Sequence, residues 1–468
     1  MTRATHRRVI VAGAGLSGLA CAFDLRRGGA DVAVLEASGR AGGVAGTIER
    51  GGFQFETGPN AVQASSPSFL GLCGDLGIAG RLIAAAPAAE ERYLYVRGRL
   101  RRVPASPAAF LLSGVLSLRG RLRAAGEIVR RWRPPAGAGE PDLQSFLDER
   151  LGPEAARVLA GSFVRGVYAA DLAELGARSA FPRMWRACEE HGGLVRGLRA
   201  ASREVPTEVP GPKFARTALL SFPEGLRAVA TAVERELGDC LRKGEPVEEI
   251  AAMRGGWRAR TLAGSWCEAE ELVLAVPAPV AARLLRTVAP RGFPLATLEG
   301  LRHAAIAVVH LGLDASEVPR WPKGFGYLVP SPAAGPRRSA EAPRALGTIF
   351  VSNLFPGRAP EGSVALSSFY QQSGIEDLDD RRLAALACED LARALGEERA
   401  PRARVVEVVR WTDVIPRYAP GHGDRIAALL AETSERLPGL HLAGSYVAGV
   451  SVDQVVARGR EVAREILG

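Results

Sequence analysis

Four apolar residues, Val9 to Ala12, lead into Gly13–Gly18; a helically spaced stretch, Leu19–Arg27, follows, and then a second apolar run, Asp31–Leu35, ending in Glu36. Short apolar runs bounded by turn residues read as strands, and the 3.6-residue spacing between them reads as a helix. The chain therefore opens with one βαβ unit.

From Tyr93 to Trp132 the pattern is helical and arginine-rich; it breaks at Pro134-Pro135-Ala136-Gly137-Ala138-Gly139 and resumes as helices from Asp142 to about Arg203. That predicts a helical insertion. Glu204–Pro212, with its prolines, reads as the returning linker, followed by a helix over Leu226–Leu237 and short strands at Val247–Ile250 and Leu272–Val276. Strands at Ala305–Leu311 and Val364–Tyr370 then alternate with loops, Ser331–Pro343 reads as a flexible surface loop, and Leu383–Leu395 as a helix. His441–Gly444 is a strand-and-turn signal before a final helix, Val452–Leu467, and no repeat of 20 to 50 residues occurs.

The 468 residues allow several domains, and 47% hydrophobic content suits a globular chain with sizeable cores. Sixty basic against 51 acidic residues give a net charge of +9, which admits nucleic acid, an anionic membrane or a carboxylated substrate as partner. Lys213, Lys243 and Lys323 are the only lysines, and this near-exclusive use of arginine, with abundant Ala, Gly and Pro, matches GC-rich codon usage. Much of the charge is then unrelated to function. Nucleic-acid binding is disfavoured further because the cations accompany no recognition motif or aromatic platform.

Cys21, Cys73, Cys188, Cys240, Cys267 and Cys388 lie far apart, without a CxxC pair, and read as reduced, mostly buried thiols; no metal site is expected. Arg7-Arg8, the apolar run and Ala20-Cys21-Ala22 resemble a secretory leader, but the glycines between them have a better explanation below. No window of about 18 apolar residues is free of charge, so no spanning helix is expected.

Gly13-Ala14-Gly15-Leu16-Ser17-Gly18 fits GxGxxG, whose glycines allow a tight turn, close approach to a pyrophosphate and close helix packing. It follows a strand, opens a helix and precedes Glu36, whose carboxylate can accept hydrogen bonds from a ribose diol. Together these point to a bound dinucleotide.

Downstream, Glu36-Ala37-Ser38-Gly39-Arg40-Ala41-Gly42-Gly43 resembles the ExxxRxGG extension of the amine oxidase and phytoene desaturase superfamily. The resemblance implies FAD, with Arg40 at its phosphates and Gly42 and Gly43 allowing backbone approach. Phe55-Glu56-Thr57-Gly58-Pro59-Asn60, Glu91–Tyr95 with Val103-Pro104, Phe163–Ala169, Ala180-Phe181-Pro182, Ala305–Leu311 and Gly444–Val450 are similar to segments of the protoporphyrinogen oxidase family. The likeness spans nearly the whole chain. Ala170 departs from it, where the family often has glycine before an aspartate, and so does Val452-Asp453, where asparagine is common.

The fold expected by resemblance is α/β and multidomain: a Rossmann-like, two-dinucleotide-binding FAD domain over 1–88, 208–292 and 408–468, a helical membrane-associating domain over 89–207, and a mixed-sheet substrate domain over 293–407. The FAD contacts implied are Gly13, Gly15, Ser17, Gly18, Glu36, Arg40, Gly42, Gly43, Gly58, Pro59, Asn60, Val247, Ala275, Trp411, Gly444, Gly449, Val450, Ser451 and Val452. Gly58–Asn60 would line the isoalloxazine edge, and the helix after Ser451 would aim its positive end at the flavin pyrimidine.

The implied reaction is oxygen-dependent removal of six electrons from a porphyrinogen, by hydride transfer from a meso carbon to flavin N5, releasing three hydrogen peroxides. A large apolar ring with carboxylates calls for a greasy cavity with cationic anchors. By resemblance Arg92 binds a propionate, which a guanidinium suits; Arg165, Gly166 and Val167 border the substrate, and the Gly166 carbonyl faces the reacting ring or Gly166 serves packing alone. No base is evident, since the cofactor carries the redox chemistry, and His191, His303, His310 and His422 read as structural.

Arg97, Arg99, Arg101, Arg102, Arg119, Arg121, Arg123, Arg130, Arg131 and Arg133 accompany Phe110, Leu111, Leu112, Val115 and Leu116, a mixture suited to a membrane surface. The resemblance implies a bacterial, cytoplasmic protein on the inner membrane. Its implied partners are the porphyrinogen, oxygen, a second copy of the chain and a ferrochelatase receiving product. The rival readings are coproporphyrinogen oxidation, which needs a more cationic pocket, an amine or polyene oxidoreductase, and a flavin-bound partner protein without turnover.

Overall fold

The computed structural model describes residues 7–103, 114–132, 139–201, 214–331 and 342–468. The expected linker 204–212 lies outside the described residues, as do most of the loop 331–343, most of the Pro/Gly break and Phe110–Leu112.

The opening unit is β1 (Arg8–Ala12), α1 (Leu16–Arg27) and β2 (Asp31–Glu36). α1 begins inside the glycine turn, three residues before the expected Leu19. A hairpin of β3 (Thr47–Arg50) and β4 (Phe53–Glu56) follows, then α2 (Pro67–Asp75).

The helical start expected at Tyr93 is corrected by the structure, which has a hairpin there: β5 (Arg92–Val96) and β6 (Arg99–Arg102). The deciding pattern has period two: Tyr93 and Tyr95 pack into one core while Leu94 is buried in another. Arg97 and Gly98, both at positive φ, make the turn. Helices follow only then: α3 (Leu118–Ala125), α4 (Leu143–Leu151), α5 (Ser162–Tyr168), α6 (Pro182–His191) and α7 (Leu194–Ala201).

Next come α8 (Arg227–Leu237), β7 (Leu241–Lys243), a three-stranded antiparallel sheet of β8 (Val247–Met253), β9 (Gly256–Thr261) and β10 (Trp266–Ala269), then β11 (Glu271–Leu274) and α9 (Ala278–Leu285). The last third holds β12 (His303–Asp314), β13 (Gly326–Leu328), β14 (Gly347–Ile349), β15 (Ser363–Gln371), α10 (Asp380–Leu395), β16 (Ala403–Pro416), α11 (His422–Arg436), β17 (Leu440–Leu442) and α12 (Val452–Leu467).

Two sheets position the site. The first is parallel throughout, in the order β7-β2-β1-β11-β17. Both its faces are covered, as a parallel sheet requires: Val9 and Val11 join the core with α1, α8 and α12, and Ile10 and Ala12 the core with α9 and α11. α12 crosses α1 so closely that a Cβ at Gly459 would lie 2.1 Å from the Ser17 carbonyl oxygen.

The second runs β16-β12-β15-β14-β13-β5-β6 and is antiparallel except where β13 meets β5. Ala307, Val309, Leu311 and Leu313 face α10. On the other face, Ala304 packs with Ala169 just past α5, while farther along β12 the His310 ring stacks on Phe55, 5.0 Å away, and Gly312 underlies the Phe53 ring. Two expected boundaries shift accordingly: β5-β6 extends this sheet, although 89–207 was expected to be helical, and β16 runs unbroken through position 408.

All six cysteines are free thiols, four buried and two, Cys240 and Cys267, half-buried.

Candidate active site

The nucleotide end is built from backbone. Gly13 has φ +99°, and a Cβ there would lie 2.5 Å from the Ala275 carbonyl oxygen; one at Gly18 would lie 2.0 Å from the Gly13 oxygen. A side chain at Gly15 would instead project into open space. Gly15 is also the N-cap of α1 and gives it no side-chain cap, so the first amides of α1 stand ready for an anion. The buried Ser17 hydroxyl beside them has no hydrogen-bond partner among the described residues.

Glu36, at the end of β2, turns back under this turn: one carboxylate oxygen accepts the Ala14 amide at 2.7 Å, and the other accepts the Ser38 amide at 2.8 Å. Gly42 joins Gly15 in a parallel bridge, and its amide donates to the Ala14 carbonyl at 2.8 Å. The exposed Arg40 reaches back over Gly46, where a Cβ would meet its guanidinium at 2.7 Å. Val247 is buried, and only its backbone could meet a ligand; it follows a loop whose Glu245 amide bonds the Glu36 carbonyl.

The middle of the site joins three distant segments. Gly58 passes so near Val44 that a Cβ would lie 2.4 Å from its carbonyl oxygen, and Asn60 bonds back to the Gly58 carbonyl at 3.1 Å. Trp411 on β16 donates its indole N–H to the Thr57 carbonyl at 2.8 Å, fixing this segment, with Pro59, over the second sheet. In the third segment, Gly444 and Gly449 adopt positive φ, and Ser451 caps α12 in a reciprocal box with Gln454. Val450 packs towards the helical layer and Val452 towards the nucleotide core.

Tyr418 donates to the Ser445 carbonyl at 2.6 Å, and His422, stacked on it at 4.7 Å, bonds the Tyr446 carbonyl at 2.9 Å. Burial raises the Tyr418 phenol well above its usual range and lowers His422 to about 4, keeping both neutral at pH 7. The second departure from the family pattern gains a structural role: Asp453 caps α2, accepting the Ser68 and Phe69 amides at 2.8 and 3.0 Å. Ala170, the first departure, is buried in the helical core beside Ala169, which has φ +45°.

The expected substrate end is built from side chains. Half-buried Ile306, Phe369 and Ile415 pack around Ala169, Ala304 and Leu346. Gly166 lies on Leu328, whose Cδ2 would be 2.6 Å from a Cβ, so a side chain there would push the Leu328 side chain aside. No amide among the described residues donates to its carbonyl, which stays open in the last turn of α5. Val167 and Phe163, one turn apart, are exposed.

Arg92 is exposed on β5, pointing to the same side as Leu94, whose register partner is Leu328. Its guanidinium lies 5.8 Å from the Phe325 ring, and among the described residues no carboxylate pairs with it. Arg165, expected beside it, is mostly buried, with Nε 3.9 Å from Asp171.

A family model for flavin-containing amine oxidoreductases matches residues 16–467. The chain belongs to that family. A flavin held on a dinucleotide fold is FAD, and this oxidoreductase's own residues fit it: the uncapped start of α1 and the open space at Gly15 suit a pyrophosphate, and the Glu36 carboxylate suits a ribose diol.

The chain is 32% identical to protoporphyrinogen oxidase of Homo sapiens, over 99% of this chain and 98% of that one. It is 30% identical to the chloroplastic protoporphyrinogen oxidase of Nicotiana tabacum, over 98% and 85%. It is 25% identical to coproporphyrinogen III oxidase of Bacillus subtilis, over 98% of both. Among solved structures, a provisionally assigned protoporphyrinogen oxidase from Exiguobacterium shares the fold with a TM-score of 0.80 at 23% identity, covering 99% of both chains.

Ile306, Phe369 and Ile415 went unnoticed in the sequence. Their only signal was apolar alternation, which does not say which face stays half open. Tyr418 offered no signal, because its partner is a backbone carbonyl.

Proposed function

We propose that this flavoenzyme oxidises protoporphyrinogen IX to protoporphyrin IX in tetrapyrrole synthesis, passing six electrons to oxygen and releasing three hydrogen peroxides. The observation that carries the reading is Arg92: a guanidinium with no carboxylate partner among the described residues, near the Phe325 ring and on the face of the sheet that α5 and Phe369 share. A ring with an apolar body and propionates at its rim matches that pairing. The relatives named protoporphyrinogen oxidase support it.

FAD, when bound, supplies the hydride acceptor. The chain's own residues orient and dry the ring: Arg92 holds a propionate, Ile306, Phe369 and Ile415 exclude water, and the open Gly166 carbonyl faces the ring. The Thr57–Asn60 segment and the turn Gly444–Ser451 border the flavin.

Coproporphyrinogen III is the second reading, favoured by the Bacillus relative that matches along its full length. Aerobic turnover of FAD-loaded protein on both porphyrinogens, followed by porphyrin fluorescence and peroxide, separates them. Faster turnover of protoporphyrinogen is expected; a preference for coproporphyrinogen moves the enzyme to the second reading, and no turnover of either removes both.

We also propose peripheral attachment to the cytoplasmic face of the inner membrane. No helix among the described residues is long and apolar enough to cross a membrane. Leu118 and Leu122, one turn apart on α3, are 65% and 63% exposed, Val129 is 80% exposed, and the exposed Arg119, Arg130 and Arg131 are interleaved with them. That combination suits an anionic lipid surface. Co-sedimentation with anionic and with neutral vesicles tests it; equal failure to bind either removes the proposal.

A further inference from the structure

Glu56 is the last residue of β4, next to the segment Thr57–Asn60, and is only 3% exposed. One of its oxygens accepts the Leu226 amide at 3.0 Å and lies 3.5 Å from Nη2 of Arg358; the other accepts the Thr47 hydroxyl at 2.9 Å. Arg358 is 2% exposed and comes from the connection between β14 and β15 of the substrate sheet. Its Nη2 also donates to the Ser221 hydroxyl at 3.0 Å and the Phe222 carbonyl at 3.2 Å, and its own carbonyl accepts the Gln54 amide at 3.1 Å. Its Nη1 is buried and has no hydrogen-bond partner among the described residues.

Four segments meet at this pair: the start of β3, the end of β4, the turn 221–226 and the loop carrying Arg358. The turn fits so tightly that a Cβ at Gly225 would lie 2.3 Å from the Thr47 hydroxyl and 2.5 Å from Glu56. A buried ion pair is weak support for stability, because desolvation offsets most of the attraction, and apolar replacements often do as well. What such a pair does better is fix the relative position of the segments it joins.

We propose that Glu56 and Arg358 are a positioning pair that sets the Thr57–Asn60 segment against the substrate sheet, so that cofactor seating depends on the charge state of Glu56. The dependence on FAD rests on the family assignment, and the substrate enters only in a second arm of the test.

Burial raises the Glu56 carboxyl to about 7, against the opposing pull of Arg358. The other charged groups around the pair are Arg227 at the start of α8, paired with Glu49 of β3, and Glu224 of the turn, paired with Arg81. Deprotonation on the alkaline side of 7 completes the ion pair, and protonation breaks it.

The test uses the full chain and measures FAD dissociation by flavin fluorescence from pH 6 to pH 8. For the wild-type protein, several-fold tighter FAD binding at pH 8 than at pH 6 is expected. Glu56→Gln keeps hydrogen bonds to Thr47 and Leu226 but removes the charge; it should bind FAD several-fold more weakly at pH 8, lose the pH dependence and shift the flavin absorption bands. Thr47→Val, a milder change, should move affinity the same way by a smaller factor and serves if Glu56→Gln does not fold.

Unchanged affinity, pH profile and flavin spectrum in both variants, whatever their melting temperatures, overturn the proposal. Loss of FAD affinity without loss of pH dependence also overturns it, because that is the mark of a purely structural contact. Porphyrinogen turnover is recorded separately: a failed substrate leaves the FAD arm intact, so the two readings fail independently.

Discussion

At the nucleotide end, Gly13, Gly18 and Gly42 each place a would-be Cβ within 2.0–2.5 Å of a backbone oxygen; at the proposed substrate end, Ile306, Phe369 and Ile415 pack together from three neighbouring strands, and Arg92 stands three strands beyond Phe369 in the same sheet. The first surface has its shape before any side chain is chosen, and a single methyl group disrupts it. The second owes its shape and charge to side chains on a continuous sheet, so substitutions there should change affinity by degrees. A side chain at one of these glycines should therefore abolish cofactor binding, whereas substitutions at the other end should adjust substrate preference.

The contrast is tested most severely by Gly18→Val. Its Cβ would sit 2.0 Å from a backbone oxygen that cannot swing away, so purified protein should contain almost no flavin by absorbance. Retained flavin would show that the turn can yield.

A smaller effect comes from the two histidines buried near the joints between the ends. Burial lowers His422 from 6.5 to about 4 and His310 to about 3. The folded state refuses protons that the unfolded state takes up below 6.5, so their contribution is full above 6.5 and is lost as pH falls towards 4 and 3. Glu56, raised from 4.5 to about 7, acts oppositely, favouring the folded state at low pH and losing that advantage as pH rises from 4.5 to 7. The sum is a fall in denaturation free energy below pH 6.5 that steepens below 4.5, on the order of a few kcal/mol by pH 4. His422→Gln, which can still donate to the Tyr446 carbonyl, should flatten part of it in urea titrations.

At the substrate end, Arg92→Ala should raise KM for the porphyrinogen by roughly tenfold to a hundredfold, the value of a hydrogen bond to a charged group, with flavin content unchanged. Arg92→Lys should recover only part of it, lacking the bidentate fork. Unaltered KM would remove Arg92 from the site.

Asp453→Ala sharpens the comparison from within, because it is a side-chain contact at the nucleotide end. Losing the cap of α2 should cost about 1 kcal/mol, read as a drop of a few degrees in melting temperature with flavin retained.

The same contrast decides what could be read from the sequence. The glycine turn, Glu36 and the βαβ order were legible because they follow from local backbone needs, and α12 was bounded correctly by Ser451 and its apolar period. The hairpin at Arg92–Arg102 was misread as helix because its abundant arginines masked a period-two alternation of only five residues. A boundary at 408 fell inside β16, a 14-residue strand that pairs with β12 along its length and carries no local break there. Arg165, expected to face the substrate, has its Nε 3.9 Å from Asp171, six positions on, a proximity that the turn after α5 creates and that no local pattern announces. The Glu56–Arg358 pair was invisible, because the two residues are far apart in the chain and no motif joins them.

The strand order of the first sheet also has a consequence in time. β1 lies between β2 and β11, with Val9 opposite Glu271, so during synthesis one edge of β1 stays unpaired until the chain has grown past β11. At ribosomal rates that interval is on the order of ten seconds to a minute. Throughout it the nascent protein carries an open, apolar strand edge of the kind that invites intermolecular pairing. Yield in a heterologous host should therefore depend on elongation speed and chaperone supply more than on the stability of the finished molecule.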